Sequence, residues 1–131
     1  MAKKGLERSK KSEASPESRH PYLKRIEFLV LLVLAEGESH GYRIVQEISR
    51  LTEGRVSVLP GNLYAILRRL RKQSFLTDAP EKPAADLADQ RRRYYRITGA
   101  GRQVLEAEAQ LMRSLARAAS ETGLLPGGAS S

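Results

Sequence analysis

The chain of 131 residues has no cysteine, no tryptophan and only two histidines. Without thiols there is no disulfide framework, no thiol nucleophile and no Cys-ligated zinc, and a reducing, cytoplasmic setting is the natural expectation. His20 and His40 are too few to ligate a transition metal, so neither metal nor cofactor is expected. Long apolar runs are lacking too. The longest, Phe28 to Ala35 (FLVLLVLA), falls well short of the roughly 20 residues that span a bilayer. The basic start MAKKGLERSKK is followed by SEASPESRHP, which has neither the apolar centre nor the cleavage site of a signal peptide. No membrane partner is expected. The length allows one modest core and excludes a large enzyme scaffold.

What the chain has is positive charge, with 23 Lys and Arg against 15 Asp and Glu for a net +8. It is unevenly placed. Residues 55–72 and 91–102 each carry five basic residues and no acidic one, whereas 26–54 and 73–90 are net acidic. A generic solvated surface mixes signs, so two acid-free internal blocks point to a polyanion, and nucleic acid is the leading partner.

Residues 1–20 hold little to bury and read as a disordered basic arm, and 123–131 (GLLPGGASS) as a disordered tail. A first helix is expected from Pro21 or Tyr22 to just before Gly37. Its far end is apolar all round and must be enclosed. A second helix, with Tyr42, Ile44, Val45, Ile48 and Leu51 apolar, ends before Gly54. A third opens at Pro60, where a missing N–H costs nothing, and runs to about Gln73. At 100° per residue Leu63, Ile66, Leu67 and Leu70 share one face. Asn62, Ala65, Arg68, Arg69 and Lys72 then face outward, flanked by Tyr64 and Arg71. Phe75 to Thr77 and Arg91 to Ile97 read as the strands of a β-hairpin across a turn-rich loop. Alternation places Arg93, Tyr95 and Ile97 on one side and Arg92, Tyr94 and Arg96 on the other. Thr98 caps a last helix to about Ser120. Its apolar positions, Leu105, Leu111, Met112, Leu115 and Ala119 among them, form a stripe that implies a partner helix.

Ser39 and His40 beside Glu36 and Glu38 superficially suggest a catalytic group. They stand at a helix junction, where Ser39 as an N-cap is the simpler expectation, and no catalytic residue is assigned. The pattern is mainly α with a small β-hairpin: a winged helix-turn-helix over residues 21–98 and a C-terminal dimerisation helix over 99–122. An α-helix fits the major groove, where Arg and Asn read base edges, and a cationic hairpin fits the backbone or minor groove. The expected DNA-contacting residues are Ser39, His40, Tyr42, Asn62, Tyr64, Arg68, Arg69, Lys72, Arg91, Arg92 and Arg93, with Arg69 reading bases and Arg92 holding phosphate. A winged-helix module binding an acidic protein, and a non-specific nucleic-acid binder, are the alternatives.

Three blocks carry a family resemblance: LVLAEGESHGYRI from Leu32 to Ile44, PGNLYAILRRL from Pro60 to Leu70, and RYYRITGAGR from Arg93 to Arg102. In this order and spacing the chain resembles the PadR family of bacterial transcriptional regulators, in its shorter branch with a single C-terminal helix. The resemblance implies a homodimer joined through its C-terminal helices, a repressor bound to palindromic double-stranded operators at the nucleoid, and often release by a small-molecule effector. Four positions depart from the family. Leu59 stands where Ser or Thr commonly caps the recognition helix, Asn62 replaces Thr, Ala65 replaces Pro, and Ser74 replaces the Gly at the turn into the wing. Some members hold flat aromatic ligands with Trp, which this chain lacks, so no effector class is implied.

Overall fold

The computed structural model describes residues 23–80 and 93–126. The expected basic arm, Pro21, Tyr22, Arg91, Arg92 and residues 127–131 lie outside them; the first helix starts at Arg25 after an extended Lys24, later than the Pro21 or Tyr22 that the sequence suggests. Helix α1 spans Arg25–Glu36 and carries the apolar run. Leu29, Val30, Leu31, Val33 and Leu34 are buried, and Phe28, Leu32 and Ala35 pack partly against the same core. The helix is thus the central element, flanked by α2 (Gly41–Leu51), the last helix α4 (Gly99–Glu121) and strand β3 (Tyr94–Ile97).

Helix α3, Pro60–Lys72, buries Leu63, Ile66, Leu67 and Leu70, the face that the 100° spacing indicates. Its N-cap is Leu59, which makes no side-chain hydrogen bond, while Pro60 occupies the first turn. After α3 the chain turns through Ser74 at φ 67°, a left-handed conformation that favours glycine. It enters β2, Leu76–Asp78, which pairs antiparallel with β3 in the register Leu76 to Ile97 and Asp78 to Tyr95.

The wing holds one strand more than the expected hairpin. Ser39 and His40 form a two-residue strand, β1, pairing antiparallel with β3 in the register Ser39 to Tyr95 and His40 to Tyr94. The order is β1-β3-β2. A two-residue strand has no alternation to detect, which is why periodicity missed it. The pairing also moves the cap of α2. His40, not Ser39, takes that place, its Nδ1 accepting from the Arg43 backbone N–H at 3.1 Å. Between α2 and α3, Val56 to Val58 form no strand; Val58 is buried in the core and Val56 partly so.

Thr98 caps α4 as expected, its hydroxyl oxygen accepting from the Gly101 N–H at 3.0 Å while its O–H donates to the Ser74 carbonyl. Gly101 lies against the Phe75 carbonyl so closely that a β-carbon there would collide with it. Val104 and Leu105 complete the core, and no residue of α4 beyond them is buried.

Candidate nucleic-acid interface

The exposed side of α3 begins with Leu59, Gly61, Asn62 and Tyr64 and continues through Arg68 and Lys72. Arg68 and Lys72 are one turn apart and, among the described residues, take part in no ion pair. Tyr64 is half-exposed, with its hydroxyl near Gly41 at the start of α2. Tyr42 projects from the same helix start. His40 lies beside it, ring centroids 6.4 Å apart, and meets Tyr94 edge-on at 5.3 Å. Four of the expected residues, His40, Tyr42, Asn62 and Tyr64, therefore lie on the first turns of α2 and α3 or on the strand leading into them.

Three expected residues are placed differently. Ser39 is 1% exposed and donates to the Gly37 carbonyl, so its side chain faces inward. Arg69 reaches across to α1, its Nε and Nη2 each 3.2 Å from one carboxylate oxygen of Glu27. Glu27 is a buried acid whose other oxygen accepts the Lys24 backbone N–H at 2.9 Å. Arg69 thereby ties α3 to α1 while its side chain stays about half-exposed. Leu105, grouped by its spacing with the outward stripe of α4, belongs to the core of its own chain.

Asp78, at the end of β2, accepts from Arg71 of α3 and, at 2.9 Å, from Arg93 ahead of β3. Both guanidinium groups lie within 6 Å of the Tyr95 ring centroid. Hydrogen bonding to Asp78 holds Arg93 above its ordinary pKa, so it is cationic at any physiological pH. Arg96, on the other side of β3, faces Glu38 at 3.9 Å. The wing is thus tied to α3 by a carboxylate between two arginines. Sequence reading missed Glu27 and Asp78. Asp78 lies six positions beyond one acid-free block and Glu27 well upstream of it, and only the fold brings each to its arginine.

The described residues contain no cluster of three or more His, Asp or Glu that could hold a metal ion, and no helix among them is long and apolar enough to cross a membrane.

The architecture is a helix-turn-helix with a wing, and the family model for the transcriptional regulator PadR-like family matches residues 30–107. The chain belongs to that family. PadR-family proteins are transcriptional regulators, not enzymes. The Mycobacterium tuberculosis transcriptional regulator Rv3488 is 37% identical over 83 residues, 63% of this chain and 71% of that protein. An uncharacterised 37.1 kDa protein of the Streptomyces fradiae transposon TN4556 is 37% identical over 89 residues, 68% of this chain but only 23% of its own length. Bacillus subtilis PadR, solved in complex with operator DNA, superposes with a TM-score of 0.56 at 22% identity, over 66% of this chain and 47% of that one.

Proposed function

We propose that this PadR-family regulator is a homodimeric, sequence-specific DNA-binding repressor acting in the cytoplasm at the nucleoid. The observation that carries DNA binding is the outer face of α3. It presents Asn62, Tyr64, Arg68 and Lys72 to solvent, no acid interrupts it, and the wing follows it at once. Cations on such a face neutralise phosphates and release counterions, while the amide and guanidinium groups address base edges. Arg93 continues the positive charge at the start of β3, and Arg91 and Arg92 precede it in the sequence. The operator complex of the Bacillus subtilis relative supports this reading.

Dimerisation is assigned to the free part of α4, where Leu111 and Leu115 are exposed and Met112 and Ala119 lie within the same arc. Phe28, Leu32 and Ala35 share one side of α1 and remain only half-covered, which gives a second copy further apolar surface to bury. The DNA-binding body of this proposal runs from residue 21 to 98 and takes in the first turns of α4 through Leu105. Release by a small-molecule effector is part of the family reading.

Joint replacement of Arg68 and Lys72 by alanine tests the surface. Duplex affinity is expected to fall at least tenfold at about 150 mM salt, and the slope of log affinity against log salt to flatten by roughly three to four units if both side chains contact phosphate in each of the dimer's two half-sites. Unchanged affinity and slope would contradict the assignment.

A further inference from the structure

We infer that Leu59 is a base-reading residue, its side chain seated against the 5-methyl group of a thymine at the first turn of α3; this rests on the DNA-binding reading above. Leu59 holds the cap position with its backbone fixed, its carbonyl accepting from the Leu63 N–H at 3.0 Å and Pro60 following as the first helical residue. Its side chain does nothing for the fold. It makes no capping hydrogen bond and is 71% exposed, while Val58 before it and Leu63 after it are buried. The surface around it is open, since a β-carbon at Gly61 would have nothing within 4 Å and Asn62 is exposed.

The chemistry of that position selects its partner. The N-terminal residues of a recognition helix face base edges in the major groove. An aliphatic side chain there offers neither donor nor acceptor to a phosphate or a base. The apolar group on a major-groove edge is the C5-methyl of thymine. Asn62, three positions on, carries the amide that pairs with adenine N6 and N7. Leucine and asparagine together therefore suit a step containing an A·T pair, the leucine reading the methyl and the asparagine the purine.

The test begins with the full chain and a pool of random duplexes, which defines the bound sequence. Each thymine of one half-site is then replaced in turn by deoxyuridine, which deletes only the methyl, and affinity is read by fluorescence anisotropy. One thymine is expected to lose about fourfold on replacement, the factor for burying one methyl-sized group. That loss disappears in Leu59→Ser, a variant that supplies the missing cap and so keeps the fold. Tolerance of uracil at every position, or an equal loss in Leu59→Ser, overturns the inference and leaves DNA binding standing. A pool in which nothing is enriched overturns both. If the serine variant fails to fold, Leu59→Ala, which removes the same apolar contact without adding a hydroxyl, takes its place, and uracil tolerance on the unaltered chain overturns the inference by itself.

Discussion

Glu27 shows how much a single buried acid carries. Its carboxylate accepts the free N–H at the start of α1 and the guanidinium of Arg69, 42 residues along the chain. Removing it leaves both donors without their acceptor, so Glu27→Ala is expected to destabilise the fold by about 2 kcal/mol, the range for hydrogen bonds to charged groups. An unchanged urea midpoint would refute this. Gly101 supplies a second residue-scale test. Gly101→Ala forces a β-carbon onto the Phe75 carbonyl and is expected to cost about 2 kcal/mol or more. Gly99→Ala, two positions earlier, meets nothing within 4 Å and should be neutral or slightly stabilising in the same urea titration. Arginine partners were the least legible residues. Arg69 looked outward because sequence reading sees only neighbours on its own helix, and none of those is acidic.

At the scale of elements α3 and α4 were legible to about a residue, whereas α1 starts at Arg25, past the expected Pro21 or Tyr22, because a first-turn proline marks a helix start only where the chain is helical around it. The 3.6 period of Leu63, Ile66, Leu67 and Leu70, Pro60 at the start of α3 and Thr98 at the start of α4 are local signals, and the chain obeys them. Strand β1 was not, since its two residues form a strand only by pairing with Tyr94 and Tyr95 more than fifty positions away. Helix α3 begins without a side-chain cap, so Leu59→Ser is expected to add about 1 kcal/mol of stability, visible as a higher thermal midpoint. A midpoint that stays or falls would show that serine does not cap there. Helix α4 divides in two. Val104 and Leu105 belong to the core, so a deletion starting there would unfold the domain and say nothing about assembly. Ending the chain after Gln110 removes the free stripe alone. It is expected to give folded monomers by light scattering, and a truncated chain that stays dimeric would place the interface elsewhere.

For the whole molecule, the net charge of +8 is less informative than its distribution. Most of the first acid-free block becomes α3 and part of the second becomes β3, and Asp78, between Arg71 and Arg93, holds the two side by side. That carboxylate sets the two positive elements in one arrangement before DNA arrives, which lowers the ordering cost of binding. Two copies related by a two-fold axis through α4 would present two such surfaces, matched to half-sites about 34 Å or roughly 10 base pairs apart. Purified full-length protein and random duplex DNA, with the bound fragments sequenced after selection at about 150 mM salt, put the central claim to its most direct test. An enriched inverted repeat is expected, with half-site centres about one helical turn, or a multiple of it, apart. Binding without enrichment, or no binding at that salt, would contradict it.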